Sequence, residues 1–342
     1  MYDKKLHLVV DMNGCPNRCR HCWLGHMPNR IMEEDADSFI MNCFYPYFEK
    51  IAYYSWLREP DYCDAYKERW ERDKAISKNC EPERFELASF YRIVRDPTYI
   101  PFLRSVGVKR IQLTFFGLEE TQGRYVGRKG AYEEIMKATG LLIEGGIIPR
   151  WQCFINEENK DEIVQLYEMA QNLRKEKCPE LEFFVHEGTC EGENRKLYPI
   201  RICKKNIPEE LIPVYLNYEE ILSEKECVEI LMNDDSHPEF PIGDEITLNI
   251  SNTYDVYYNF THMTGEWIIG NLKTDDTGEL VNRIISGDTY ALNKTKECTW
   301  PELVKSFGDK DSDRVFSLDD YKTYLFNTYL ENSCMKSNAS SG

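Results

Sequence analysis

At 342 residues, with 42% hydrophobic and 13% aromatic residues, the chain can bury a sizeable core, as one large domain or a domain with a smaller appendage. Its 42 lysines and arginines against 59 acidic residues leave a net charge of -17, which argues against a nucleic-acid backbone or anionic membrane as main partner and favours a basic, neutral or peptidic substrate. Thirteen scattered cysteines, an odd number, speak against a disulfide framework, and with no signal peptide or membrane-length apolar run the expected location is the cytoplasm.

In chain order, Leu6 to Asp11 reads as a buried strand closed by the Asn13-Gly14 turn. Next comes Gly14-Cys15-Pro16-Asn17-Arg18-Cys19-Arg20-His21-Cys22-Trp23, which spaces three cysteines as Cys-x3-Cys-x2-Cys. Thiolates on one turning loop can converge on a soft metal centre, iron–sulfur or zinc. A structural zinc normally takes four protein ligands. No second cysteine knuckle supplies a fourth, and His21 and His26 are the histidines near enough in sequence to complete such a site. Three cysteines alone suit a 4Fe–4S cubane with one iron left open to a substrate or cofactor.

Asp37 to Ile51 is predicted as a helix that Pro46 should kink, and Ala52 to Trp56 as a second strand. Asp61 to Lys78 reads as a charged helix with Tyr62, Tyr66 and Trp70 in i, i+4 register. Arg84 to Val94 alternates as a strand, Thr98 to Val106 is a short helix, and Val108 to Phe116 is again a strand. Tyr132 to Gly145 is helical, Ile147 to Asn156 a strand, Lys160 to Lys177 a helix and Leu181 to His186 a strand. Repeated alternation of this kind predicts an α/β fold, a partial (β/α)6 TIM-like barrel of parallel strands and crossover helices. Ligands in such barrels collect at the carboxyl ends of the strands, where the cysteine loop stands. Along Trp151–Ile155, alternation puts Arg150, Gln152, Phe154 and Asn156 on one face, predicted to point inward. His186 and Glu187, at the end of the last barrel strand, are candidates for substrate contact.

Beyond the barrel, Leu211 to Leu231 reads as helical. Asp244 to Ile250 and Val256 to Phe260 form a hairpin around Ser251-Asn252-Thr253-Tyr254, and Glu279 to Ile285 is a short helix. Ser337 to Gly342 is small and polar, a frayed tail.

Cys15, Cys19 and Cys22, directly after the first strand, resemble the cluster motif of radical S-adenosylmethionine (radical SAM) enzymes, whose open iron binds the amino and carboxylate groups of SAM. The resemblance implies one 4Fe–4S cluster and SAM as cofactors. Leu57-Arg58-Glu59-Pro60 stands where the family usually reads Gly-Gly-Glu-Pro. Glu59 would therefore hold the SAM amino group, while Leu57 and Arg58 replace both glycines. The run Gln112 to Glu120 looks like the family's fourth strand, with Thr114 the candidate for ribose or carboxylate contact. Arg124 to Tyr132 is similar to the segment that keeps an arginine for the SAM carboxylate, with Arg128 the first choice and Arg124 the second. Asn156 resembles an asparagine near the ribose.

The C-terminal part resembles a SPASM or twitch extension without its auxiliary-cluster cysteines. Tyr257 to His262 holds none, and Cys178, Cys190, Cys203, Cys227, Cys298 and Cys334 contain no Cys-x2-Cys. The expected division is a barrel over 1–205, a cluster-free α+β cap over 206–336 and a disordered tail over 337–342. The implied activity is reductive cleavage of SAM to a 5′-deoxyadenosyl radical that abstracts hydrogen from a small-molecule or short-peptide substrate. An electron donor such as flavodoxin or ferredoxin would feed it. Two alternatives stand beside this: a maturase of a ribosomally made peptide, and a non-catalytic relative that binds a cluster or zinc.

Overall fold

Strand β1 (Tyr2–Val10) alternates buried Leu6, Leu8 and Val10 with half-buried His7 and Val9, so one face packs on helices while the other lines the barrel interior. The structure is a computed structural model that describes residues 1–84, 86–260 and 262–339. After helix α1 (Ala36–Phe44), strand β2 (Phe48–Tyr54) pairs in parallel with β1, Leu6 opposite Ile51 and Val9 opposite Tyr54. The helix predicted to run from Asp37 to Ile51 therefore stops at Phe44. The turn around Pro46, whose ring removes an N–H donor, lets the second strand begin earlier than expected.

Helices α2 (Tyr66–Ile76), α3 (Phe90–Ile93) and α4 (Tyr99–Ser105) lead to strand β3 (Arg110–Phe115). Then follow α5 (Glu119–Val126), α6 (Ala131–Glu144), β4 (Ile148–Phe154), α7 (Lys160–Glu176) and β5 (Glu182–His186). Strands β3, β4 and β5 form one parallel sheet. The strand predicted over Arg84–Val94 is absent from the described residues of that stretch, and residue 85 lies outside them. Ser89 instead caps α3 by accepting from the Arg92 N–H. One ladder-like bond survives, Gln112 N–H to the Glu86 carbonyl at 2.9 Å. This half of the chain thus supplies five barrel strands in two sheets.

Apolar residues on β3–β5 face outward: Ile111, Leu113, Trp151, Cys153, Phe183 and Val185 are buried against the helices. The inward face is half-buried and polar, as predicted for β4. Arg110 and Arg150 share Glu86 and Glu182 at one end, and Gln112, Gln152 and His186 form a hydrogen-bonded chain across the three strands.

The remaining chain passes through short 3-10 turns to β6 (Leu222–Ser223) and α8 (Glu224–Leu231). The helix predicted from Leu211 is corrected here. Pro213 sits in a 3-10 turn, and the α-helix begins only where Ser223 and Glu226 close a reciprocal capping box. Strands β7 (Glu245–Ile250), β8 (Asp255–Tyr258) and β9 (Gly270–Asn271) follow. β7 lies parallel to β1, Leu8 opposite Leu248, so the first sheet runs β2-β1-β7-β8-β9 and the C-terminal hairpin extends the barrel wall. Helices α9 (Thr277–Ser286), α10 (Tyr290–Lys294) and α11 (Trp300–Phe307), strand β10 (Val315–Phe316) and helix α12 (Leu318–Ala339) complete the fold. The predicted tail is in part helix, since α12 runs through Ala339; residues 340–342 and the Cys334 side chain lie outside what is described. No helix among the described residues is long and apolar enough to cross a membrane.

Buried Arg201 ties α12 to the barrel: its guanidinium donates to the Val315 carbonyl and to Asp320, both at 2.5 Å, and lies 3.7 Å from Glu187 at the end of β5. Arg201→Met would leave two buried carboxyls without their cation. A loss of about 3–5 kcal/mol of stability is expected, measured by urea unfolding.

Candidate active site

The cysteine loop is held from three sides before any cofactor is considered. Arg18 and Arg20 N–H groups donate to the carbonyls of Val126 and Tyr125 at the end of α5, at 2.9 and 2.8 Å. The Cys15 N–H donates to Asn29 Oδ1 at 2.9 Å, across Gly14 at φ 76°, where a Cβ would lie 2.0 Å from that same oxygen. From above, Glu193 N–H donates to the Cys22 carbonyl at 2.8 Å. Gly192, at φ 50°, packs so closely that a Cβ would stand 2.3 Å from the Trp23 carbonyl oxygen.

So held, Cys15, Cys19 and Cys22 line one cavity of about 280 Å3, together with Trp56, Arg58, Glu59, Gln112 and Thr114. Burial pushes the Cys15 thiol up to about 12, with the neighbouring Glu59 adding to the effect, and raises Cys19 and Cys22 as well. Thiols in this state are neutral, and a cationic metal centre is what would favour their thiolates. Among the described residues, no three of His, Cys, Asp and Glu are gathered as ligands of a single metal ion.

Neither histidine considered for zinc is turned to the thiols. His21 is wedged between Phe116 and Phe154, with ring centroids 4.1 and 4.7 Å away, and burial pulls its pKa down to about 3. His26 places Nε2 3.2 Å from the Cys19 carbonyl oxygen and Nδ1 3.7 Å from Glu193.

Glu59 is in the cavity wall, and its Oε1 is buried without a hydrogen-bond partner. Burial pushes its carboxyl up to about 7, against the pull of Ser89 and of Arg128. A carboxyl raised in this way contributes stability below its ordinary value of 4.5, and that stability is lost as pH rises through about 7. Glu59→Gln, which does not titrate, is therefore expected to gain on the wild type between pH 5 and pH 8. The gain reaches up to about 3 kcal/mol in the ligand-free protein, read from urea midpoints at each pH.

Arg128 does not itself line the cavity but adjoins Asn17 and Phe90, which do. Its Nε donates to Asn17 Oδ1 at 3.0 Å, Nη1 faces Glu134 at 2.5 Å, and Nη2 is buried without a partner. Arg124 is exposed, pairs with Glu158 at 3.3 Å and does not line the cavity. Thr114 does line it, with Oγ1 3.3 Å from Gln152 Oε1. Asn156 is not at this cavity. Its Nδ2 donates to the Tyr125 hydroxyl and its Oδ1 accepts from Glu158 N–H, both at 2.9 Å, so its side chain is already engaged. It lines a smaller neighbouring void, separated from the main one by His21 and Phe116. Glu187 is also turned away, accepting from the Tyr215 hydroxyl at 2.9 Å beside Arg201. His186 meets Gln152 at 2.6 Å and Gly188 N–H at 3.2 Å, with burial drawing its pKa down to about 4.

The residues no spacing pointed to are Asp11, Arg58 and Asn29. Arg58 occupies a position where a glycine was expected, and its guanidinium grips Asp11 through Nε at 2.9 Å and Nη2 at 2.8 Å. Asp11 at the end of a strand was the one visible hint, but a partner 47 positions away was not legible.

Residues 9–170 match the model of the radical SAM superfamily. Over those residues the chain carries a radical SAM domain, and the cofactors of that superfamily are a 4Fe–4S cluster and SAM. Similar solved structures include native anSMEcpe with bound AdoMet, at 13% identity and TM-score 0.50, covering 97% of this chain and 99% of that one. Streptococcus suis SuiB bound to precursor peptide SuiA matches at 11% identity and TM-score 0.40, over 75% of this chain and 59% of that one. Coproporphyrinogen III oxidase (HemN) from Escherichia coli, a radical SAM enzyme, matches at 12% identity and TM-score 0.41, over 96% and 91%. No curated protein matches the chain. The structural likenesses speak to the fold alone.

Proposed function

We propose that Cys15, Cys19 and Cys22 hold the cluster, that Glu59, Thr114 and Arg128 orient SAM beside it, and that the enzyme abstracts hydrogen from a small-molecule or short-peptide substrate. The observation carrying this reading is the unpaired, buried Oε1 of Glu59, in the wall of the cavity that the three thiols line. An orphaned carboxylate oxygen is costly unless a ligand completes it, and the N–H groups of the SAM amino group are the matching donors. The free Nη2 of Arg128 supplies the opposite charge for the SAM carboxylate. When bound, cluster and SAM together supply a one-electron cleavage that yields a 5′-deoxyadenosyl radical.

The chain's own part is to bind, orient and seal. Asn17 and Glu134 hold the Arg128 guanidinium in place, and Asn156 acts at one remove by fixing Tyr125 beside the loop. His21 and Phe116 form an aromatic wall that keeps water from that side. The C-terminal region is read as a SPASM- or twitch-like cap without an auxiliary cluster. In support, Cys190, Cys227 and Cys298 are packed as apolar residues among Trp267, Trp300 and Phe316. The electron donor is read as a flavodoxin- or ferredoxin-type protein.

The test is 5′-deoxyadenosine formation by the anaerobically reconstituted, reduced enzyme with SAM and a panel of metabolites and short peptides. Formation that depends on one panel member, with loss of hydrogen from it, is the expected result. An enzyme that forms none with intact cluster and bound SAM would overturn the reading.

A further inference from the structure

Arg58 is the most heavily committed charged group near the cysteines. Its side chain is 8% exposed and that of Asp11 is 1% exposed. Nε and Nη2 form a fork on the two Asp11 oxygens, Nη1 donates to the Met27 carbonyl at 3.3 Å, and Nη2 also donates to the Pro28 carbonyl at 2.9 Å. Asn252, from the turn after β7, donates to the same Pro28 carbonyl at 2.7 Å. One guanidinium thus joins the end of β1, the end of β2 and the returning limb of the cysteine loop.

The pair is also oriented. Arg58 lines the cavity of the three thiols, whereas Asp11 does not. Nη2 lies 3.3 Å from where a Gly14 Cβ would be, one residue before Cys15. The positive end of a buried ion pair therefore faces the thiols and the negative end faces away. Around an iron–sulfur cluster, nearby charge is one of the factors that set the reduction potential. An added electron makes the cluster more negative, so a fixed cation favours the reduced form, and a carboxylate behind it offsets that effect.

We propose that Asp11 and Arg58 are positioning residues that seat the cysteine loop and bias the potential of the cluster it holds. This rests on the assignment of Cys15, Cys19 and Cys22 to that cluster. The two roles separate experimentally because the partners carry opposite charge. Removing either one loosens the same loop, yet the electrostatic effects have opposite signs.

The experiment is an EPR-monitored redox titration of the reconstituted enzyme, with hydrogen exchange followed over residues 24–30. Arg58→Gln is expected to lower the midpoint potential and Asp11→Asn to raise it, while both speed exchange in that segment. Arg58→Lys, which keeps the charge but not the fork, should hold the potential near that of the wild type and still speed exchange. Shifts of one sign in both charge-removing variants, or no shift in either, would overturn the proposal. Should Arg58→Gln fail to fold, the upward shift in Asp11→Asn decides alone. A wild-type enzyme without a four-iron spectrum would bring down the cluster assignment, and this inference with it. A normal wild-type spectrum with unseparated variants would bring down only the inference.

Discussion

Replacing any one of Cys15, Cys19 and Cys22 by alanine is expected to abolish the four-iron chromophore and reduce 5′-deoxyadenosine formation to background. The loop offers three thiols to the cavity and no histidine to stand in, since His21 is stacked between two phenylalanines and His26 is turned to the Cys19 carbonyl and Glu193. Two remaining thiolates do not retain a cubane that needs three. Iron and sulfide analysis after anaerobic reconstitution, beside the product assay, checks this. Cys227→Ala is the matching control, because Cys227 is fully buried in an apolar cluster away from the loop. It should keep full iron content and cost about 1 kcal/mol of stability.

The second large effect concerns how SAM is gripped. Arg128→Met and Glu59→Gln each remove one charged partner of the amino-acid end of SAM, and a hydrogen bond to a charged group contributes about 1.5–3 kcal/mol. SAM affinity should therefore fall roughly ten- to a hundredfold in each variant, measured by equilibrium dialysis on the clustered enzyme. Arg124→Met, an exposed residue paired with Glu158, should change affinity little. The pH dependence distinguishes Glu59 from Arg128. Burial raises the Glu59 carboxyl to about 7, so below that pH it is protonated and no longer offers the SAM amino group a charged acceptor. Wild-type affinity is expected to fall as pH drops below about 7, in total by about the ten- to hundredfold that Glu59→Gln costs, and to level off above it. Glu59→Gln should flatten that profile, while Arg128→Met should keep its shape at weaker affinity. The same burial that weakens the free protein above pH 7 thus poises the carboxylate for a cationic ligand.

What could be read from the residues divides along physical lines. Strands β3 to β5 and helices α6 and α7 were legible because their apolar positions follow a period of two or of about 3.6 over whole elements. Arg84 to Val94 alternates just as well, yet the backbone there makes one ladder bond and turns into a capped helix. Alternation reports a two-faced environment and says nothing about who supplies the hydrogen bonds. Helix α8 was misplaced although Ser223 and Glu226 spell its capping box, because Leu211 to Leu222 carries apolar residues that mimic helical periodicity across Pro213. Thr299 and Glu302 spell another box ahead of α11 that was not used.

At the site, the cysteines and Glu59 were visible from spacing and order along the chain. Their geometry was not. The Asp11–Arg58 fork, the seating of Gly192 on the Trp23 carbonyl and the engagement of Asn156 by Tyr125 join residues far apart in the chain. Only the tertiary fold brings them together, and sequence spacing carries no trace of it.

Low-temperature EPR of the dithionite-reduced enzyme, recorded before and after adding SAM, puts the open-iron account under the most immediate strain. A four-iron spectrum that changes shape with SAM, and that vanishes in Cys19→Ala, is the predicted result. A loop filled by zinc, or a four-iron signal indifferent to SAM, would contradict it.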